Sequence, residues 1–185
     1  MCIRDSIPPL PPEERPERTE AILAGLRAEP DGPDMNIFAT LARHPRLLKR
    51  WSQFGGTLLA GGDLPARDRE LLILRTGWNA HSEYEWGQHV LIGKASGVTD
   101  AEVVALTEPV ADGPWTEDEA ALLHAADELH TDNRISDTTW ALLAGRLTEA
   151  QLIELCMVVG QYHLVAFTLN SLGVEREPGV PGFPA

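Results

Sequence analysis

The sequence predicts an all-α domain, and three observations carry that expectation. Capping boxes stand ahead of apolar runs at Thr99–Glu102, Thr116–Glu119 and Thr148–Gln151. The triplets Asp31-Gly32-Pro33 and Asp112-Gly113-Pro114 punctuate the chain between helix-length segments. No stretch holds an apolar–polar alternation of period two for long.

The elements follow in order. Residues 1–12 show no periodicity, and Pro8, Pro9, Pro11 and Pro12 make a stiff lead-in. This lead is expected to be disordered or artefactual and outside the fold. Glu13 to Arg27 carries Ile22, Leu23 and Leu26 on one face of a helix. Asn36 can cap a short helix to His44, and Pro45 opens the next as a first-turn proline, running to Ala60. Asp63 caps a segment containing Glu70-Leu-Leu-Ile-Leu-Arg75, with a turn or kink expected over Gly77 to Ala80. His81 to Ser96 reads as a helix stopped by Gly97. Thr99 starts a short helix, Thr116 one to about Thr131, Ser136 one to Gly145, and Thr148 a long apolar one ending near Gly173. One domain over 13–174 is expected, followed by an extended surface tail at 175–185, rich in proline and glycine. Leu64 to Gly97 and Leu147 to Gly173 share a loose design, a capped start and an apolar run, then glycine, aromatic and histidine residues, which reads as a weak internal repeat.

The totals bound the function. The chain has 185 residues and 43% apolar content, enough for one domain with a proper core. Its formal charge of -13 repels phosphate backbones and anionic membranes, so nucleic acid and membrane partners are not expected. No uninterrupted apolar run approaches the roughly 18 residues of a membrane span, and no basic-then-apolar leader is visible, so a cytoplasmic location is the expectation. Cys2 and Cys156 form no CxxC pair, which leaves no disulfide or zinc-finger framework.

Two anomalies point to chemistry. Glu70 lies in a helical turn that is apolar almost all round, so a carboxylate there must be paired or neutralised. It is either a buried carboxylate gripping Arg67 or Arg75, or part of a site. Further on, Trp78, Ser82, Glu85 and His89 fall within a sector of roughly 60° on one helix face, and Glu85 and His89 are one turn apart. A Glu–His pair on a face that continues into Ile92 and Gly93 is either a surface pair or a proton-transfer pair near neutral pH. Metal ligation by Glu70, Glu85 and His89 is an alternative, but the paired Glu-x-x-His motifs of a di-iron bundle are missing. A Ser82–His89 hydrolase lacks the Gly-x-Ser-x-Gly elbow. His163, beside Tyr162, faces the same pocket as His89 if the internal repeat holds, and is otherwise a core residue.

The spacing Glu70, Ser82, Glu85, His89, then Gly97-Val98 and Glu102, with Tyr84-Glu85-Trp86, resembles the carboxymuconolactone decarboxylase and alkylhydroperoxidase D-like superfamily. The similarity covers roughly residues 36–174. It implies an all-helical bundle that assembles as a homo-oligomer, a trimer or hexamer. In the peroxidase branch, the positions matching Ser82 and Glu85 are the two redox cysteines, and Glu70 and His89 match the proton-relay residues. Serine and glutamate cannot run a thiol–disulfide cycle. What the resemblance leaves is the decarboxylase side, with a small unsaturated carboxylic acid or lactone as substrate and no cofactor or metal. In that scheme the catalytic residues are Glu70, Glu85 and His89. His89 acts as the acid, Glu85 holds it, and Glu70 orients the pair. Trp78, Ser82 and His163 contact substrate, and Arg75 or Lys94 is the candidate cation for a carboxylate. Two other readings stay open: a non-catalytic small-molecule-binding or assembly scaffold, and metal-dependent oxygen chemistry.

Overall fold

The computed structural model describes residues 6–184, and Met1–Asp5 and Ala185 lie outside the described residues. All regular structure among the described residues is helical: α1 (Glu17–Ala24), α2 (Asn36–Leu41), α3 (Pro45–Ala60), α4 (Ala66–Asn79), α5 (Glu83–Ala95), α6 (Asp100–Ala105), α7 (Glu117–Asp132), α8 (Asp137–Ala144) and α9 (Glu149–Leu172). Short 3-10 turns occupy Pro12–Glu14 and Val110–Asp112. The three capping boxes form as the sequence wrote them, at the starts of α6, α7 and α9. Gly173 closes α9 in the left-handed conformation (φ 64°) that a side chain would strain.

Helix α4 is the central post. Its run Leu71–Leu74 is fully buried because α5, α7 and α9 pack around it on different sides. Leu72 and Ile73 join the apolar faces of α7, α8 and α9, while Leu71 and Leu74 join Trp86, Val90, Val98 and Leu106. Helix α9 is long and apolar enough to cross a membrane, with a mean hydropathy of 1.6 over its best 18 residues. Glu154, Gln161 and His163 interrupt its apolar run. Of that window, 56% is buried against the protein, and Leu155, Val158, Val159 and Ala166 lie in the core. Its other side exposes Ile153, Met157, Leu164 and Phe167.

Several boundaries differ from the sequence expectation, each for a local reason. The first predicted helix is broken, with a 3-10 turn before α1, because Pro16 has no N–H to continue it. No kink occurs at Gly77. Instead α4 runs on to Asn79, whose amide donates to Asp127 on α7 at 2.7 Å. The turn falls at Ala80–Ser82, with His81 in the left-handed region (φ 53°). Ser82 therefore stands at the N-cap of α5 and not inside it.

Both ends of the domain pack more closely than expected. Leu10, within the lead expected to be disordered, is buried with Leu23, Ala42 and Leu48, and its N–H donates to the Ala39 carbonyl at 2.9 Å. The tail, expected as an extended surface segment, is tied down by polar contacts as well. The Glu177 carboxylate accepts from the Tyr84 hydroxyl (2.7 Å), the Gln88 amide (2.5 Å) and the Asn36 N–H (2.6 Å). Phe183 then inserts against Trp78 and Trp86, with ring centroids 5.1 and 5.5 Å away. Gly87 makes this path possible, since a Cβ there would collide with the Pro181 carbonyl and Val180.

Candidate active site

The site forms where α4, α5 and α9 meet. Helix α4 supplies Glu70, fully buried, and the adjoining Arg69. Helix α5 supplies Glu85 and His89, one turn apart, and α9 supplies Tyr162. His89 Nδ1 lies 2.7 Å from Glu70 Oε2. A carboxylate can only accept, so Nδ1 carries the proton and Nε2 of the neutral ring holds the basic lone pair. Arg69 Nε donates to the other Glu70 oxygen at 3.1 Å. The Tyr162 ring packs edge-on to His89 at 4.8 Å. Burial, and then the charge of Glu70, push the Tyr162 hydroxyl well above its usual range.

Glu85 is the opposite of Glu70. Both of its oxygens are buried without a hydrogen-bond partner. Burial alone pushes this carboxyl well above the usual carboxylate range, so the neutral acid is favoured. It rests against Gly77 of α4, where a Cβ would come within 3.2 Å of Oε1. The Ser82 hydroxyl is likewise buried and unpartnered. Two carboxylates in one cluster thus stand in different environments, one ion-paired and one bare, the arrangement that separates an acid from a base.

The structure brings Glu70 and His89 into direct contact, but it reassigns the pairing expected from sequence. His89 is held by Glu70 across two helices and not by Glu85 one turn away, because Glu85 turns toward Gly77 on α4. Trp78 joins the Trp86–Phe183 aromatic cluster, and no hydrogen bond or ring stacking ties it to Glu70 or His89. His163 pairs with His130 of α7. The cations guessed from sequence are engaged elsewhere. Arg75 is bidentate to Asp127, at 2.6 and 2.8 Å, and donates to the carbonyls of Leu106 and Glu108. Lys94 pairs with Asp100, and Arg67 with Glu102 and Glu119. Arg69 is the cation at the site, and sequence reasoning passed over it because adjacent helical residues do not normally face each other. Two cavities, of about 690 and 270 Å³, lie at the α5–tail junction and between α2, α3 and α9, and neither is lined by Glu70, Glu85 or His89. Among the described residues no three His, Cys, Asp or Glu side chains converge as a ready metal-binding group. Cys156 packs against the core, and burial raises its thiol pKa, which disfavours the thiolate.

The profile of the carboxymuconolactone decarboxylase family matches residues 45–128, from the start of α3 into α7, and takes in Glu70, Ser82, Glu85 and His89. That match spans a little under half of the chain. The fold as a whole is that of alkylhydroperoxidase D-like proteins. A peroxidase-related protein from Ralstonia eutropha JMP134, described as an alkylhydroperoxidase AhpD core, superposes with a TM-score of 0.80 at 15% identity, over 96% of this chain and 95% of that one. A peroxidase-related protein from Silicibacter sp. TM1040 gives 0.81 at 12% identity over 100% of both chains. The debrominase Bmp8, in complex with 2,3,4-tribromopyrrole, gives 0.77 at 18% identity over 94% of this chain and 95% of that one. At such identities these likenesses concern the fold. No curated protein sequence matches the chain.

Proposed function

We propose that this chain is an acid–base lyase that removes CO2 from a small unsaturated carboxylic acid or lactone, with no thiol and no cofactor. The observation that carries the reading is the pair of unlike carboxylates: Glu70 tied to Arg69 and His89, and Glu85 buried with no partner. Decarboxylation converts a carboxylate into CO2 and leaves an electron pair on carbon, which one proton must quench. A neutral Glu85 is the donor for that proton. His89, fixed in its Nδ1–H tautomer by Glu70, offers Nε2 to relay a replacement proton to Glu85, and it is the least buried of the three. The Arg69 guanidinium makes no other hydrogen bond among the described residues and is the cation for the substrate carboxylate or the enolate oxygen. An apolar surround favours the step, because the charge spreads as the C–C bond breaks.

A homo-oligomer, trimer or hexamer, belongs to the same reading. The α9 residues Ile153, Met157, Leu164 and Phe167 form a stripe of exposed apolar side chains that a second copy would cover.

The test is CO2 release by the purified protein, without added metal, from a panel of carboxylated lactones and unsaturated β-keto acids. The expected result is release that disappears in Glu85→Gln and His89→Ala. A folded protein that releases no CO2 from any of them, or variants that keep the full rate, would overturn the reading and favour a non-catalytic binding scaffold.

A further inference from the structure

Apart from the Glu70–His89 cluster, the structure sets two histidines against each other where α7 meets α9. His130 Nδ1 lies 2.8 Å from His163 Nε2. The rings stack with centroids 5.1 Å apart and planes 26° from parallel. The other nitrogen of His163 is 2.9 Å from the Val159 carbonyl, which can only accept. Nδ1 of His163 therefore carries its proton, and Nε2 presents a lone pair. A backbone carbonyl that fixes the tautomer and angle of an imidazole is the usual outer support of a metal-binding histidine. Phe167 packs edge-on against the same ring, with centroids 5.8 Å apart. His130 is exposed, so the pair is open to a small solute.

We propose that His130 Nδ1 and His163 Nε2 form a binding site for a divalent transition-metal ion of the imidazole-preferring class, copper(II) or nickel(II) ahead of zinc(II). The ion replaces the single proton now shared between the two nitrogens. With metal–nitrogen bonds of about 2.0–2.1 Å, nitrogens 2.8 Å apart subtend about 85° at the ion. That is the cis angle of a square-planar or octahedral centre and falls short of the tetrahedral angle zinc prefers. The exposed His130 ring must rotate to aim its lone pair at the ion, while His163 keeps its Nδ1–H bond to the Val159 carbonyl. Two protein ligands leave the remaining positions to water or a small anion, so the site is open. The formal charge of -13 raises the local concentration of cations around it. The proposal is independent of the decarboxylase reading, since neither histidine contacts Glu70, Glu85 or His89 through any hydrogen bond or ring contact of the structure.

The experiment is a calorimetric titration of the tag-free full-length chain with copper(II), nickel(II) and zinc(II) chlorides. It is repeated on His130→Ala, His163→Ala and, as a control histidine away from the pair, His44→Ala. Circular dichroism on each variant confirms the fold. One ion per chain is expected, in the affinity order copper, nickel, zinc. Either variant of the pair should weaken binding at least tenfold, and His44→Ala should not. Electron paramagnetic resonance of the copper form should show two nitrogen ligands in the parent and one in each pair variant. Equal binding by parent and both folded pair variants, or no stoichiometric binding of any of the three ions, would overturn the proposal.

Discussion

Replacing Glu85 should make this protein more stable while abolishing its activity. Both Glu85 oxygens are buried without partners, and leaving a buried polar group unpaired costs about 1–3 kcal/mol. Methionine has a similar length and no orphaned oxygen, so Glu85→Met is expected to gain about 1–3 kcal/mol at neutral pH. The pH dependence gives a sharper test. Burial holds the native carboxyl well above its ordinary value, whereas an unfolded glutamate titrates near 4.3 (roughly the free value). Above that point the unfolded chain has released a proton that native Glu85 retains. Stability from this group is therefore full below the unfolded pKa and falls as pH rises toward the native one, by about 1.4 kcal/mol per pH unit. Glutamine at this position does not titrate. The advantage of Glu85→Gln over the parent should accordingly be smallest near pH 4.5, grow through pH 6, and be largest at pH 7.5. Urea unfolding at fixed protein concentration reads the difference. With a slope of about 2 kcal/mol per molar urea, each kcal/mol moves the midpoint by about 0.5 M. A Glu85→Gln variant less stable than the parent at pH 7.5, or an advantage that does not change with pH, would refute the assignment of a bare, neutral carboxyl.

Two further outcomes test the supports of the site and the tail. Glu70→Gln keeps an acceptor for His89 Nδ1 but removes the charge that holds Arg69, so the rate on any identified substrate should fall by about 10²–10⁴, the usual share of a positioned proton-transfer group. The drop should appear in kcat more than in KM, and an unchanged kcat would remove Glu70 from the relay. Gly87→Ala places a methyl group against the Pro181 carbonyl and Val180 and should lift the tail off α5. Phe183 would then leave Trp78 and Trp86, seen as a red shift of tryptophan emission and faster hydrogen exchange at the Val180 N–H, which now donates to the Glu177 carbonyl at 3.1 Å. A spectrum and exchange rate like the parent's would contradict the packing described for the tail.

The helices were legible because their ends are written locally. The boxes at Thr99, Thr116 and Thr148, the proline at the head of α3 and the glycine after α9 act on neighbours within a turn, and the structure places helix termini at each. The burial of Glu70 was legible as well, since a carboxylate between Leu71–Leu74 and the apolar side of a central helix has nowhere else to go. The Tyr162 contact with His89 was half visible, as an aromatic beside a histidine in the second apolar segment, but that reading put forward His163 as the residue facing the site. Helical phase explains the difference, because consecutive residues point about 100° apart and only one of the two can face α5.

By itself, then, the sequence determined which segments are helical, that Glu70, Glu85 and His89 share an apolar region, and that Ser82 and Glu85 stand where no thiol chemistry can run. Tertiary structure alone decided that Glu70 and not Glu85 grips His89, that Arg69 is the cation beside them, that His163 meets His130, and that the tail locks onto Tyr84, Gln88 and Trp86. Local sequence specifies a helix because its hydrogen bonds close within four residues. It says little about which side chain a buried charge will meet, because that partner is set by how separate helices rotate and slide against one another until their apolar faces are covered.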